Sequence, residues 1–222
     1  MKEEKNKEIR IMESVYARNN DIALKTNRKL TEKGVFVINV MGTPGAGKTS
    51  SLIQIIPKLD QPALVIEGDI ESDIDTKKLN DIHIKTVQIN TGGVCHLDSR
   101  MIDGAVSAFD PGPGYLLIEN IGNLICPAEF LIGEHIKLLI SSVTEGSDKP
   151  FKYPLAFEKA DIILINKCDL LSYVNFNEKE FMNGVKKLNP DVPVFTVSGV
   201  TGEGFDGAVN WIIQKKEQFI KK

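Results

Sequence analysis

Short, nearly continuous runs of apolar residues recur along this chain and are separated by amphipathic stretches. Seven runs predict strands: Val35–Met41, Ala63–Ile66, Ile84–Ile89, Tyr115–Ile118, Ile136–Val143, Asp161–Ile165 and Pro193–Val197. Such runs are typical of strands buried on both faces. Helical patterns follow Lys48, Ile70, Asp98, Asn177 and Gly204. This alternation predicts an α/β fold with a three-layer, doubly wound, mostly parallel sheet.

The first 33 residues differ from the rest of the chain. They are rich in Lys, Glu and Asn, and Ile11, Val15, Ile22 and Leu30 recur at loosely helical spacing. The pattern predicts an N-terminal helical extension over residues 1–33 that packs on the core or on a partner. For the first ten residues, a solvated leader with a frayed helix is the alternative. No linker interrupts residues 34–222, which we interpret as one domain.

Composition narrows the possible classes of function. The chain has 222 residues and a net charge of -3, so no global basic field favours nucleic acid or anionic membrane as a partner. No apolar run approaches the ~20 residues of a membrane span, and the charged N-terminus does not resemble a secretory signal. Three cysteines is an odd number, which favours metal or redox roles over a disulfide framework. We therefore expect a cytoplasmic protein.

A phosphate-binding motif follows the first predicted strand. It reads Gly42-Thr43-Pro44-Gly45-Ala46-Gly47-Lys48-Thr49, with Ser50 next in the following helix. This is the G-x-x-x-x-G-K-[ST] spacing in its strand–loop–helix context. Glycines let backbone N–H groups approach a triphosphate, Lys48 neutralises the β/γ-oxygens, and the Thr49 hydroxyl ligates Mg²⁺. The alternative is a Gly-rich turn that happens to carry a lysine.

A second motif predicts that the nucleotide is GTP. Asn166-Lys167-Cys168-Asp169 has the form N-K-x-D and follows a predicted strand. The two oxygens of Asp169 match the N1–H and N2–H donors of guanine, which adenine lacks. We expect Asn166 to brace the phosphate loop, Lys167 to lie over the base, and Ser198 to contact the base. The alternative is a polar turn after a strand.

Hydrolysis requires groups near the γ-phosphate and the magnesium ion. Glu119-Asn120-Ile121-Gly122 follows a strand and resembles D-x-x-G with Glu in place of Asp. Glu119 is expected to hold Mg²⁺ and the Gly122 N–H to contact the γ-phosphate, although a carboxylate there is otherwise a helix or turn cap. Asp69 and Asp75 are further Mg²⁺ candidates. No Gln stands at an obvious water-positioning site, which indicates slow intrinsic turnover.

The residues Cys95, His96 and Cys126 suggest a second site. The first two lie in a Gly-loosened loop and the third follows the Glu119–Gly122 segment. Thiolate and imidazole suit Ni²⁺ or Zn²⁺ better than Mg²⁺. The set is one ligand short of a tetrahedral site, which suits exchange or sharing across a dimer. Because cysteine often only packs, spacing alone leaves a packing role open, and Cys168 is expected to be structural.

The strings NTGGVCHLD (90–98) and ENIGNLICPA (119–128) behind this phosphate loop resemble the HypB family of hydrogenase nickel-incorporation GTPases. The resemblance implies a GTPase of the same class as the urease accessory protein UreG. It also implies that this chain dimerises when GTP is bound. It also implies nickel delivery to the [NiFe]-hydrogenase large-subunit precursor, together with a maturation partner protein. Carried onto matching positions, the metal ligands are Cys95, His96 and Cys126. Residues 1–33 contain no Cys or His, so the N-terminal nickel-storage motifs of some members are missing here.

Three other hypotheses remain at this point. In the first, the chain is a plain GTPase switch whose cysteines pack. In the second, it is a nickel or zinc buffer in which GTP only holds a dimer together. A third possibility is that urease is the client, which the GNLICPA string argues against.

Overall fold

Seven parallel strands form one sheet, and the carboxyl ends of all of them lie at the same edge. The strands are β1 (Val35–Met41), β2 (Ala63–Asp69), β3 (Lys85–Asn90), β4 (Gly114–Glu119), β5 (Ile136–Ser142), β6 (Ile162–Asn166) and β7 (Val194–Thr196). Their order is β3-β2-β4-β1-β5-β6-β7. In this order β1 lies between β4 and β5, at the point where successive connections change direction and ligands of such sheets bind.

The structure is a computed structural model that describes the backbone of residues 2–69, 79 and 84–220, with side chains from residue 15 onward except at Asp69. Its helices are α1 (Lys2–Glu32), α2 (Lys48–Ile55), α3 (Ser99–Phe109), α4 (Cys126–Glu129), α5 (Lys149–Lys152), α6 (Pro154–Lys159), α7 (Glu178–Leu188) and α8 (Phe205–Phe219). Single 3₁₀ turns cover Ile56–Lys58 and Val143–Glu145, and a longer one covers Cys168–Tyr173. The helix expected after Ile70 lies outside the described residues.

Two helical layers cover the sheet because alternate strand residues face opposite sides. Phe36, Ile38 and Val40 of β1 share one hydrophobic cluster with residues of α2 and α8. Val35 and Val37, on the other face, share a cluster with α1 and α3. A third cluster joins β5 and β6 to α6 and α7. The predicted three-layer α/β fold is therefore confirmed, and the sheet is entirely parallel in the described part of the chain.

The N-terminal helix packs on the sheet through its second half. Leu30 is fully buried in the cluster that contains α3, and Ala23 is also buried. The Thr26 hydroxyl donates to Asp103 Oδ1 at 3.0 Å, and Asn27 Nδ2 donates to the carbonyl of Gly133 at 3.1 Å. Apolar burial and polar cross-links therefore fix α1 from about residue 19 onward. The division into an extension over residues 1–33 and a GTPase domain stays a prediction.

No helix in the described ranges is both long enough and apolar enough to cross a bilayer.

A neutral histidine joins α1 to β1. His135 Nδ1 accepts a hydrogen bond from the Val37 N–H at 2.9 Å. The Thr31 hydroxyl donates to the Asn27 carbonyl at 2.8 Å, so it accepts the hydrogen bond at 2.9 Å from His135 Nε2. Burial lowers the pKa of His135 to about 4, because a second ring proton would displace the Val37 bond in a desolvated position.

This histidine predicts an acid-sensitive component of stability. Between pH 6.5 and about 4 the unfolded chain binds a proton at His135 that the folded protein does not bind, so the free energy of unfolding falls as pH falls. Going from pH 7 to pH 5, we expect this residue to account for a loss of about 1–2 kcal/mol. Urea unfolding of the wild type and of His135→Gln at both pH values measures it. His96 titrates in both proteins and cancels, and equal pH slopes would contradict the prediction.

Candidate functional site

The loop after β1 forms a phosphate cradle. Gly45 and Gly47 have positive φ values of 78° and 92°, a conformation that strongly favours glycine. A side chain at Gly47 would also collide with the Asn166 amide. The loop ends where α2 begins at Lys48, so the helix N-terminus and its free N–H groups face the space that the loop encloses. Lys48 Nζ lies 3.5 Å from the Gly42 carbonyl.

Two buried side chains meet at the expected magnesium position. The Thr49 hydroxyl donates to Glu119 Oε1 at 3.0 Å, and these residues are 8% and 5% exposed. Hydroxyl and carboxylate oxygens are suitable ligands for Mg²⁺. Asp69 ends β2 at the same sheet edge, although its side chain is not described. Asp75, the third candidate, lies outside the described residues.

Sequence reasoning missed a second buried carboxylate beside Glu119. Glu67 is 3% exposed on β2, and its Cα is the register partner of the Glu119 Cα on β4. Neighbouring residues in register on parallel strands point to the same face, so a second acidic group lies beside Glu119. An acid inside the apolar string LVIEGD was the available signal. Two adjacent buried carboxylates favour a bound cation, because ionisation of both is otherwise costly.

The segment after Glu119 lies directly against the phosphate loop. A Cβ on Gly122 would come within 2.7 Å of Pro44, so this close approach needs a glycine. Asn123 forms an isolated antiparallel bridge with Gly42. The predicted γ-phosphate segment and the phosphate cradle are therefore in direct contact.

A second contact to the cradle was also missed. The Thr43 hydroxyl donates to Glu145, a carboxylate after β5 that also pairs with Lys149 at 3.2 Å. Glu145 further caps its own 3₁₀ turn by accepting from the Ser142 N–H at 2.9 Å. The start of the cradle is thereby tied to the end of β5.

The residues predicted to select guanine assemble behind the phosphate loop. Asn166 Nδ2 donates to the Ala46 carbonyl at 2.9 Å, and its Oδ1 accepts from the Gly199 N–H at 2.9 Å. The amide thus joins the phosphate loop to the loop after β7. Lys167 adopts a left-handed conformation with φ 63°, which turns the chain into the 3₁₀ segment that carries Asp169.

Ser198 orients the Asp169 carboxylate. Its hydroxyl donates to Asp169 Oδ1 at 2.5 Å and accepts from the Thr201 N–H at 3.1 Å. This leaves the second carboxylate oxygen to the nucleotide side, so Ser198 is placed to act through Asp169. Ser50, by contrast, donates within its own turn to the Gly47 carbonyl at 3.0 Å.

The three predicted soft ligands converge in space. Cys95 Sγ lies 3.3 Å from Cys126 Sγ and 3.4 Å from His96 Nδ1, and all three ligand atoms lie within 4.8 Å of one another. Around a tetrahedral Zn²⁺ with its usual bond lengths, neighbouring ligand atoms are separated by about 3.5–3.8 Å. The donor set therefore fits a thiophilic metal ion, with one coordination position left open.

Burial shifts the pKa values of two partly enclosed ligands, His96 and Cys126, in opposite directions. Desolvation lowers the pKa of His96, which keeps the imidazole neutral and able to coordinate. Desolvation and the hydrogen bond with the Cys95 thiol raise the pKa of Cys126. Metal binding must therefore release a proton from this thiol.

The loop that carries Cys95 and His96 has to cross the end of a strand. It follows β3, whereas Cys126 follows β4, and β2 lies between these two strands. Adjacent strands are about 4.8 Å apart, so the loop spans roughly twice that distance. Leu97 fills the crossing point, where a Cβ on Gly68 would lie 2.8 Å from it. Asp98 then caps α3 by accepting from the Arg100 and Met101 N–H groups at 2.9 Å.

A buried lysine holds the Cys126 segment. Lys137 of β5 is 6% exposed and donates to the carbonyls of Pro127 and Phe130, each at 3.1 Å. It also pairs with the buried Glu134 at 2.9 Å. His96 stacks on Phe130 with ring centroids 4.3 Å apart, so this lysine holds the Cys126 segment directly and contacts His96 only through the Phe130 ring.

A cavity of about 470 Å³ lies beside His96 and Phe130. Cys168, expected to be structural, lies away from the cluster with its Sγ 3.9 Å from Glu203.

Known proteins share this arrangement of sequence and fold. The sequence model described as the CobW/HypB/UreG nucleotide-binding domain matches residues 36–196. A hydrogenase maturation factor HypB from Rhizobium leguminosarum bv. viciae is 41% identical over 207 residues, covering 92% of this chain and 69% of that protein. A hydrogenase/urease maturation factor HypB from Helicobacter pylori strain J99 is 33% identical over 217 residues, covering 96% and 90% of the two chains. The crystal structure of Helicobacter pylori HypB in complex with nickel is 31% identical, with a TM-score of 0.87 over 92% of this chain and 98% of that one.

The buried pair Lys137–Glu134 predicts strong non-additivity between two substitutions. Lys137→Met leaves the Glu134 carboxylate buried without its counter-ion, at a cost of about 3 kcal/mol in unfolding free energy. Adding Glu134→Gln removes that charge and keeps an acceptor for the Ile132 N–H, so the double variant should recover more than half of the loss. Urea unfolding of the single and double variants measures the cycle. A double variant that is less stable than Lys137→Met would contradict it.

Proposed function

The chain belongs to the CobW/HypB/UreG family of nucleotide-binding domains, and on this premise we propose that it is a GTP-hydrolysing metallochaperone that delivers nickel during [NiFe]-hydrogenase maturation. One observation carries the proposal. The cluster of Cys95, His96 and Cys126 lies on loops that flank the segment Glu119–Gly122, which itself touches the phosphate cradle. A soft-metal site and a nucleotide site therefore share the segment Glu119–Gly122.

The nucleotide roles follow from the geometry of the cradle. The loop N–H groups and Lys48 bind the phosphates, and Asp169, oriented by Ser198, reads the guanine edge. In hydrolysis a water attacks the γ-phosphorus while the same N–H groups and Lys48 balance the growing charge. The Gly122 N–H is positioned to orient the γ-phosphate.

Thr49 and Glu119 would hold Mg²⁺, with the neighbouring Glu67 as a further carboxylate at this edge. Asp69 and Asp75 stay candidates from the sequence. The ion supplies neutralisation of the β- and γ-phosphate oxygens when it is bound.

Nickel is the cargo in this proposal. The Cys/His ligand set alone accommodates Ni²⁺ or Zn²⁺. The crystal structure of the Helicobacter pylori relative in complex with nickel supports Ni²⁺. An open fourth position suits a carrier, because an incoming ligand from a receiver can attack the metal before the first ligands leave. Cys95 is exposed, which keeps the ion reachable.

Coupling between the two sites follows from linkage. If GTP and GDP hold Glu119–Gly122 differently, they bind nickel with different affinities, and nickel must shift the GTP affinity by the same factor. The protein then loads in one nucleotide state and releases in the other.

We further propose a GTP-dependent homodimer. The proposed partners of this protein are a hydrogenase maturation protein and the hydrogenase large-subunit precursor, in keeping with relatives that are named hydrogenase maturation factors. The Helicobacter pylori relative is named for urease as well, so urease is the second candidate client. Free thiols at Cys95 and Cys126 must stay reduced to bind metal, which supports a cytoplasmic location.

Guanine selection by Asp169 is testable by substitution. Asp169→Asn replaces one acceptor with a donor that opposes the guanine N–H groups, so GTP affinity should fall by about 10–100-fold. The same amide matches the carbonyl that xanthine carries in place of the guanine amino group, so affinity for XTP should rise. Titration with both nucleotides measures the switch. Cys168→Ala, in the variable position of the motif, is the matched control and should bind GTP normally.

The metal site is testable by a nickel titration followed by the thiolate-to-metal absorption band. We expect a band in the wild type whose midpoint differs between GDP and a non-hydrolysable GTP analogue. Cys95→Ala should lose the band, whereas Cys168→Ala should keep it because that thiol lies outside the cluster.

Each alternative function has its own outcome in these measurements. Absence of the band in both nucleotide states would leave a GTPase whose cysteines only pack. Identical midpoints would remove the coupling. Normal client maturation by a protein that binds GTP without hydrolysing it would favour a metal buffer.

A further inference from the structure

One side chain in the segment after β4 has no role in the nucleotide or metal chemistry described above. Asn120 is 1% exposed, and both polar atoms of its side chain and its backbone N–H are engaged. Its Oδ1 accepts from the Leu97 N–H at 3.1 Å and from the Ile121 N–H at 3.0 Å. Its Nδ2 donates to Asn39 Oδ1 at 3.2 Å, and its backbone N–H donates to the Val40 carbonyl at 3.0 Å.

These bonds join three parts of the molecule that are distant in sequence. Asn39 and Val40 belong to β1, immediately before the phosphate loop. Leu97 directly follows His96 in the loop that crosses β2. Asn120 itself follows Glu119, which the Thr49 hydroxyl binds. The amide therefore connects the loop of two metal ligands directly with the strands that end at the nucleotide, in addition to the Asn123 Nδ2 bond to the Cys95 carbonyl at 3.3 Å.

The chemistry of the position requires an amide. Two backbone N–H groups need an acceptor and Asn39 Oδ1 needs a donor, and only Asn supplies both at this length. Asp would lose the donor and bury a charge, whereas Ala or Leu would leave the Leu97 and Ile121 N–H groups without an acceptor.

The two halves of the metal cluster are held by different elements. Cys95 and His96 are connected through Leu97 to Asn120, and Leu97 is seated against Gly68 of β2. Cys126 and Phe130 belong to the segment that Lys137 fixes to β5. A shift of Asn120 therefore moves two ligands relative to the third.

We propose that Asn120 is the positioning residue that transmits the nucleotide state to the metal site, by carrying the Leu97 backbone with the Glu119–Gly122 segment. When this segment moves toward the γ-phosphate, the Leu97 bond displaces Cys95 and His96 with respect to Cys126, and metal affinity changes. The inference rests on the proposed function and names the residue on which its coupling depends.

The test compares nickel binding in two nucleotide states for four proteins. Wild type, Asn120→Ala, Asn39→Val and Asn189→Ala are titrated with Ni²⁺, each with GDP and with a non-hydrolysable GTP analogue, and the thiolate band gives the two dissociation constants. Asn189 is the matched control, since its Nδ2 donates to three carbonyls near α6, including that of Ala160 at 2.8 Å, and none of these belongs to either site. Nucleotide affinity is measured with and without Ni²⁺ as the reciprocal readout.

We expect the ratio of the two nickel dissociation constants to be about 5-fold or more in the wild type and in Asn189→Ala. In Asn120→Ala the ratio should fall to within about twofold of unity, with the band still present and GTP affinity in the absence of nickel within about threefold of the wild type. A merely structural role would raise both dissociation constants together and preserve their ratio.

A wild-type ratio retained in Asn120→Ala would overturn the assignment. If Asn120→Ala fails to fold, Asn39→Val decides, because it removes the acceptor that holds the Asn120 amide in the orientation that binds the Leu97 N–H; an unchanged ratio there also overturns it. A wild-type ratio of one would overturn the coupling and the role of Asn120 together. Absence of nickel or GTP binding in the wild type would instead overturn the proposed function itself, so the two failures are distinguishable.

Discussion

The parallel hydrogen bonding of β1 between β4 and β5 is the constraint on which both sites depend. The register places Val40 opposite Glu119 on one side and Met41 opposite Leu139 on the other. Because the phosphate loop begins one residue after Met41, this register brings Glu119 level with the cradle and within reach of the Thr49 hydroxyl. The segment that follows Glu119 lies against the phosphate loop, where a Cβ on Gly122 would come within 2.7 Å of Pro44.

The same register places two cation sites of different chemistry side by side. Around Thr49 the donors are hydroxyl and carboxylate oxygens, which prefer a hard ion with water ligands. Around Cys126 they are thiol and imidazole, which prefer a borderline or soft ion. Only the short stretch of chain from Glu119 to Cys126 separates the two sets of donors. Ligand chemistry therefore sorts the ions where distance alone would not, and two cations can serve one short segment without exchanging places.

Local patterns predicted most of the fold and many of the candidate residues. The buried runs gave the strands, and the phosphate loop and Asn166–Asp169 were readable because each motif is contiguous and follows its own strand. Glu67, Lys137 and Asn120 were not readable, because each is a single polar residue within or beside an apolar run. The partners of Asn120, for example, lie 23 residues away at Leu97 and 81 residues away at Asn39. Strand order, which brings β3 and β4 within one strand of each other, decides whether Cys95 meets Cys126, and no local pattern encodes that order.

A carrier of metal ions has to hold its cargo firmly in one state and loosely in another, and a uniformly rigid site does not allow this. The structure divides the requirement between two anchors. Lys137 fixes one ligand to β5 through two carbonyls and a buried ion pair, a contact whose rearrangement would expose an unpaired charge. Asn120 holds the other two ligands through neutral hydrogen bonds of ordinary length, each with a net contribution of only about 1 kcal/mol. In the coupling proposed above, a nucleotide-driven shift therefore acts on the Asn120 side and changes the Cys95–Cys126 separation.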